Sequence, residues 1–76
     1  MMNEQELGEM TFADRVALAM MEVEMTYEKK DGFLTVSDLA SAADNFCLSG
    51  DKKDQAHMFM RLKEIIEAMN EAHGDS

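Results

Sequence analysis

The stretch FADRVALAMMEVEMTYEK, residues 12–29, decides the fold that this sequence predicts. It holds no proline or glycine, and its apolar residues return to one side at the spacing of an α-helix, about 3.6 residues per turn. That side carries Phe12, Val16, Ala19, Met20, Val23 and Tyr27. Thr11 and Asp14 stand in the Thr-x-x-Asp pattern that is typical of a helix start. The stretch therefore predicts an amphipathic helix with one face in a core.

The residues after this helix predict a turn and a second helix. Lys29 and Lys30 suit the negative end of a helix dipole, and Gly32 can take the left-handed conformation that closes a helix. Thr35 and Asp38 repeat the Thr-x-x-Asp pattern, so that a second helix is predicted over residues 36–47. Its inner face is expected to carry Val36, Leu39, Ala40, Ala43, Phe46 and Cys47.

A third helix is predicted over residues 51–73, after a break at residues 49–51 and before Gly74. Its larger apolar residues alternate between spacings of three and four, which favours one continuous inner face. That face carries Phe59, Leu62, Ile66, Met69 and His73, and it is widened by Met58, Ile65 and Ala72.

Three amphipathic helices in one short chain predict an all-α fold, a small three-helix domain over residues 11–76. Residues 1–10 carry three glutamates, one glycine and little apolar bulk beyond Leu7, and they are expected to form a flexible acidic tail. Because a domain of this size buries a small core, its stability is expected to be marginal without self-association or a partner.

The composition of the 76 residues excludes several classes of protein. With 7 basic against 16 acidic residues the formal charge is −9, so that nucleic acid is an unlikely partner. The one cysteine cannot form an internal disulfide. The longest apolar run is far shorter than the roughly 20 residues of a membrane span, and the first residues do not resemble a secretory signal. We expect a cytoplasmic protein without a membrane partner, compatible with a bacterial or phage source.

The sequence offers little for catalysis or for cofactor binding. His57, His73 and Cys47 are the only imidazoles and thiol, and they show no spacing typical of a metal site. Glycine-rich phosphate loops are also missing from the sequence. We therefore expect no enzyme, no cofactor, no metal and no small-molecule substrate.

A second apolar strip on the first helix is the candidate site. Leu18, Met21 and Met25 lie roughly opposite the core face, with Glu22 and Glu28 beside them. Methionine is common on surfaces that adapt to a partner, and an exposed apolar strip indicates an interface. The alternative is that the first helix is central and buried on both sides.

These observations predict a small acidic protein–protein interaction module, such as a regulator, adaptor or inhibitor. It would bind a protein partner, or itself as a homodimer, with Leu18, Met21 and Met25 at the centre of the interface and Glu22 and Glu28 at its rim. The acidic residues would either steer a basic partner or serve solubility alone.

Two resemblances give alternative functions. Residues 50–69 resemble the helical co-chaperones of type III needle subunits in helix length and texture, which implies a small acidic secretion chaperone. LTVSDLASAADNF (residues 34–46) with DQAHMFMRLKEIIEAM (residues 54–69) resembles a helix-turn-helix, which implies a nucleic-acid-binding regulator. The basic and amide residues available to its second helix are Lys52, Lys53, Gln55, Arg61 and Lys63.

Overall fold

The computed structural model describes the backbone of residues 4–74 and the side chains of residues 6–71. Four helices follow one another: α1 (Glu4–Glu9), α2 (Phe12–Lys29), α3 (Val36–Phe46) and α4 (Lys52–Gly74). Within residues 4–74 the chain forms no strand. The predicted all-α class is confirmed, and α2, α3 and α4 agree with the three predicted helices to within about a residue at each end.

The short helix α1 is an addition to the three predicted helices. It lies in the segment for which a flexible tail was predicted, and its Leu7 is buried. Burying the Leu7 side chain stabilises a helical turn relative to an extended tail. The predicted flexibility of residues 1–10 stays a prediction, and residues 1–3 lie outside the described part.

Both predicted Thr-x-x-Asp starts are confirmed as helix caps. The Thr11 hydroxyl accepts a hydrogen bond from the Asp14 backbone N–H at 3.1 Å. At α3 the cap is reciprocal, because Thr35 accepts from the Asp38 N–H while the Asp38 carboxylate accepts from the Thr35 N–H. Lys30 also donates to both Asp38 oxygens, and this ammonium is the main reason that the pKa of Asp38 lies below its ordinary value.

The end of α2 differs from the prediction in one residue. The Gly32 N–H donates to the Tyr27 carbonyl at 2.8 Å and the Asp31 N–H donates to the Glu28 carbonyl at 3.3 Å, which is the pairing of a Schellman motif. In this motif the left-handed closing position belongs to Asp31, with φ of 55°, and Gly32 follows it with φ of 87°. The glycine predicted to close the helix is therefore the second of two left-handed residues.

The helices α2, α3 and α4 run up, down and up, so that α2 and α4 point the same way. The start of α2 and the start of α4 meet at the end of α3, where Arg15 reaches both Phe46 and Asp54. The helix α3 packs closely against both neighbours, whereas α2 and α4 touch each other less. The core lies between the three helices and consists of Val16, Ala19, Val23, Leu39, Ala42, Ala43, Met58 and Leu62.

The inner faces predicted from the sequence need three kinds of correction. Met58 lies at the centre of the core rather than at its margin, and Ala40 is exposed while Ala42 is buried. Tyr27, Val36 and Met69 were expected inside and are all exposed. Tyr27 and Val36 lie where α2 ends and α3 begins, Met69 lies in the late turns of α4, and among the described residues no further helix covers them.

Candidate functional site

One end of the bundle is closed by a buried ion pair between Arg15 and Asp54. The Arg15 side chain, whose residue is only 5% exposed, donates from both terminal nitrogens to the Asp54 carboxylate, and it also donates to the Phe46 carbonyl at 3.2 Å. Asp54 accepts a further hydrogen bond from the Leu48 N–H at 2.9 Å. The guanidinium of Arg15 holds the pKa of the Asp54 carboxyl below its ordinary value. We call the Arg15–Asp54 ion pair and its hydrogen bonds to Phe46 and Leu48 the clamp.

Aromatic contacts complete the closed end. The rings of Phe12 and His57 stack with centroids 4.3 Å apart, and the Arg15 guanidinium carbon lies 5.5 Å from the centroid of Phe12. His57 lies on α4 and is exposed. Its stacked ring gives it a packing role.

Cys47 ends α3 at this same end and is buried. Its thiol lies within hydrogen-bonding distance of the Asp44 carbonyl, and burial raises the pKa of the thiol above its ordinary value. A thiol with a raised pKa is a weak nucleophile, so that Cys47 behaves as the small apolar residue that the sequence predicted.

The strip predicted on α2 is exposed in part. Met21 and Met25 are each 58% exposed, so that α2 is not buried on both sides by the described residues. Leu18 is half-buried. Glu22 is also half-buried, and its Oε1 accepts from the Asn45 amide of α3 at 2.8 Å. Glu22 therefore links two helices, while Glu28 is exposed.

A second apolar surface lies at the open end of the bundle, in a groove with a volume of about 540 Å³. The groove runs between the second half of α2, the α2–α3 connection, the start of α3 and the late turns of α4. Met20, Val23, Leu34, Leu39 and Ile66 lie deepest in its lining, and all of them are buried or half-buried. Around them stand Tyr27, Phe33, Val36 and Met69, which are 45 to 71% exposed. We call this surface the open-end groove.

The Schellman turn after α2 builds one wall of the open-end groove. It turns the chain sharply, so that Tyr27 on the helix and Phe33 on the connection line the same cavity. Gly32 leaves room for the tyrosine, because a Cβ at this position would lie 3.3 Å from the Tyr27 hydroxyl oxygen. The sequence indicated Gly32 as a helix stop, and its place beneath the Tyr27 ring appears only in the fold.

The surroundings of the open-end groove are acidic. Glu24 lines it directly. Further exposed carboxylates lie nearby on the last turn of α2, in the α2–α3 connection and on α4, namely Glu28, Asp31, Glu67 and Glu71. Two lysines lie at the same end: Lys30 is already paired with Asp38 at 2.8 Å, and Lys29 is exposed on the last turn of α2. The apolar lining is therefore bordered mainly by negative charge.

The basic residues of α4 do not form one face. Lys52 and Lys63 are about three helical turns apart and share one side of the helix, whereas Arg61 lies about two and a half turns from Lys52, on the opposite side. Arg61 also pairs with Glu64 at 3.3 Å. A recognition helix presents its basic residues together to one groove of DNA, whereas Lys53 and Arg61 lie about 100° and 180° around α4 from Lys52.

Over the described residues no cluster of three or more histidine, cysteine or acidic side chains is placed to hold a metal ion. In the same part of the chain no helix has both the length and the apolar content needed to cross a membrane. Comparison of the chain with protein-family models, with curated proteins and with solved structures gives no match in any of the three.

Proposed function

We propose that this chain is an acidic interaction module that binds another protein in the open-end groove. The observation that carries the proposal is the clustering of exposed Tyr27, Phe33, Val36 and Met69 around one apolar cavity. Exposed apolar side chains scattered singly are ordinary on a protein surface. Side chains that share a concave lining lose water together when a partner enters, and such patches are typical of interaction sites.

The partner that fits this groove carries positive charge beside its apolar residues. Glu24 in the lining and the carboxylates on the neighbouring turns would face the border of any bound segment. Lysine or arginine at that border would gain from these charges, and the net charge of −9 would speed the encounter with a basic partner. Association should therefore slow as salt is added.

A second copy of this chain is a poorer occupant. It would bring the same excess of 16 acidic over 7 basic residues to the border of the groove. Like charges at an interface oppose binding, and the cost is greatest at low salt. We therefore commit to a different protein as the partner, and the homodimer becomes an outcome of the test.

Nucleic acid is the weaker alternative, because the basic residues of α4 point to different sides. The secretion-chaperone alternative and the cytoplasmic location stay predictions from the sequence.

A displayed library of random peptides, each about 16 residues long, tests the proposal. The library is selected on the wild-type chain, and every recovered peptide is measured again on two variants. Val36→Asp changes the groove, and Met21→Asp with Met25→Asp changes the α2 strip. We expect peptides rich in apolar and basic residues that lose at least about tenfold in affinity on Val36→Asp and little on the strip variant.

Three results would overturn the proposal. The first is a selection in which no peptide depends on Val36. The second is a loss of affinity confined to the strip variant, which would favour the surface predicted from the sequence. The third is a dimeric native mass for the wild type that becomes monomeric in Val36→Asp, which would make the groove a self-association site.

A further inference from the structure

We infer that the partner segment held in the open-end groove is a cationic amphipathic α-helix. This inference rests on the proposed function and narrows it to one shape of ligand. Three features of the groove support it: the paired backbone of its walls, its length and direction, and the character of its side chains.

The walls of the groove offer few hydrogen bonds to an extended segment. The walls on α2 and α4 are helices, whose backbone groups bond within each helix, and over the described residues the chain has no sheet edge to extend. In the connection between α2 and α3, the Gly32 and Phe33 N–H groups already donate to the Tyr27 and Lys30 carbonyls. Thr35 in the lining already shares its hydroxyl and its N–H with Asp38. An extended peptide would leave backbone groups unpaired in an apolar groove, and each such group opposes binding because it loses its hydrogen bonds to water. A helix pairs those groups itself.

The length and direction of the groove also suit a helix. On α2 its lining runs from Met20 to Tyr27, which spans about 10 Å or two helical turns. On α4 it runs from Ile66 to Asn70, and α4 points the same way as α2. A helix lying along the open-end groove would place apolar residues at i, i+3, i+4 and i+7 against both walls. It would pack against α2 and α4 as a neighbouring helix does in a helical bundle.

The side chains of the lining indicate how the segment is recognised. Met20 and Met69 are unbranched and flexible, and they accept apolar residues of different shapes. Glu24 is the carboxylate within the lining, so that it would meet a lysine or arginine at the edge of the apolar stripe. The groove should therefore demand helical spacing and positive flanks more strictly than a particular apolar residue.

Two synthetic peptides of identical composition test the inference. Both contain only leucine and lysine in equal numbers over about 16 residues, one with leucines at the helical spacing and the other with leucines in strict alternation. Affinity is measured by fluorescence anisotropy, and peptide helicity is measured by circular dichroism. We expect the helical-period peptide to bind at least about tenfold more tightly and to gain helix when bound.

The variants separate groove binding from general attraction between opposite charges. Val36→Asp and Met69→Asp each add negative charge, so that purely electrostatic association would strengthen. We expect both to weaken binding of the helical-period peptide about tenfold or more, because they place a charge in the apolar contact. Met25→Asp adds the same charge outside the groove and should leave affinity within about twofold of the wild type.

The outcomes distinguish a failure of the helical-ligand inference from a failure of the proposed function, which is protein binding in the open-end groove. If the alternating peptide binds as tightly as the helical one and still depends on Val36, the helical ligand is wrong and the groove remains the binding site. If neither peptide responds to Val36→Asp or Met69→Asp, both the helical ligand and the groove are wrong. If the bound helical-period peptide gains no helix, the inference is overturned whatever its affinity.

Discussion

Arg15 near the start of α2 donates two hydrogen bonds to Asp54 in the first turn of α4, and the pair is almost wholly buried. The same guanidinium donates to the carbonyl of Phe46 at the end of α3. One side chain therefore joins all three helices of the bundle. Two further bonds hold Asp54, one from the Leu48 N–H and one between its own N–H and the Asp51 carboxylate.

Removing one partner of this pair should destabilise the fold strongly. Asp54→Ala leaves the Arg15 charge buried without its carboxylate, and we expect a loss of about 3 kcal/mol in the free energy of unfolding. Urea unfolding followed by circular dichroism measures it. Arg61→Ala is the control, since the exposed pair with Glu64 should contribute about 0.5 kcal/mol or less. Equal effects of the two variants would contradict the structural role of the clamp.

Acid should weaken the clamp in a defined range of pH. The folded-state pKa of Asp54 lies below its ordinary value of 3.8, so that the folded state binds this proton less readily than the unfolded state. The stabilisation is fully present above that ordinary value and is lost as the pH falls through the lower, folded-state pKa. We expect the stability difference between the wild type and Asp54→Asn to be constant from pH 7 to about pH 5 and to shrink below about pH 4.

Thermal or urea unfolding at a series of pH values measures this difference directly. Taking the difference between two proteins removes most of the general effect of charge, because both approach zero net charge near the isoelectric point of about 4.4. A difference that stays constant down to pH 2 would mean that Asp54 keeps an ordinary pKa in the folded state.

The turn after α2 should be stabilised by one substitution and destabilised by another. Asp31 takes the left-handed conformation, and its carboxylate stands at the negative end of the helix dipole. Asp31→Gly removes the strain of the left-handed conformation and the repulsion between the carboxylate and the helix dipole. We therefore expect about 1 kcal/mol of added stability. Gly32→Ala should do the reverse, because φ is 87° and the new Cβ would crowd the Tyr27 hydroxyl. Denaturant midpoints measure both changes, and opposite signs to those given would contradict the motif.

The exposed residues of the open-end groove should matter little for folding. Val36→Asp keeps a good residue for the first turn of a helix, and we expect a stability within about 0.5 kcal/mol of the wild type. Leu62→Ala is the matched comparison from the core, where the side chain is fully buried, and it should cost about 3 kcal/mol. Denaturant unfolding of both variants checks this contrast, and a large loss for Val36→Asp would mean that the groove belongs to the core.

Helical periodicity was sufficient to predict α2, α3 and α4, since cap residues and apolar spacing are local properties. It also placed Met21 and Met25 off the core face of α2. Periodicity reports which side of a helix a residue occupies, but burial depends on whether a neighbour covers that side. Tyr27, Val36 and Met69 have the spacing of core residues, but no neighbour among the described helices covers them.

The pairing of Arg15 with Asp54 could not be predicted from local sequence patterns, for a different physical reason. Arg15 and Asp54 are 39 positions apart, and their pairing depends on how three helices meet. One signal was available, because Arg15 stands next to Val16 and one turn before Ala19 on the core side of α2. A charged residue at such a position needs a partner when the helix packs, although the sequence alone does not identify that partner.

The helices differ in length, with 11 residues in α3 against 18 in α2 and 23 in α4. This difference places the stabilising ion pair and the proposed binding groove in different parts of the molecule. The clamp that holds the helices together lies at one end of the molecule, and the groove lies at the other. Substitutions of the exposed residues in the groove lining can then alter what is recognised while the fold is kept. A chain built in this way can acquire a new partner through a few substitutions, and such a surface can diverge among relatives faster than the residues around Arg15.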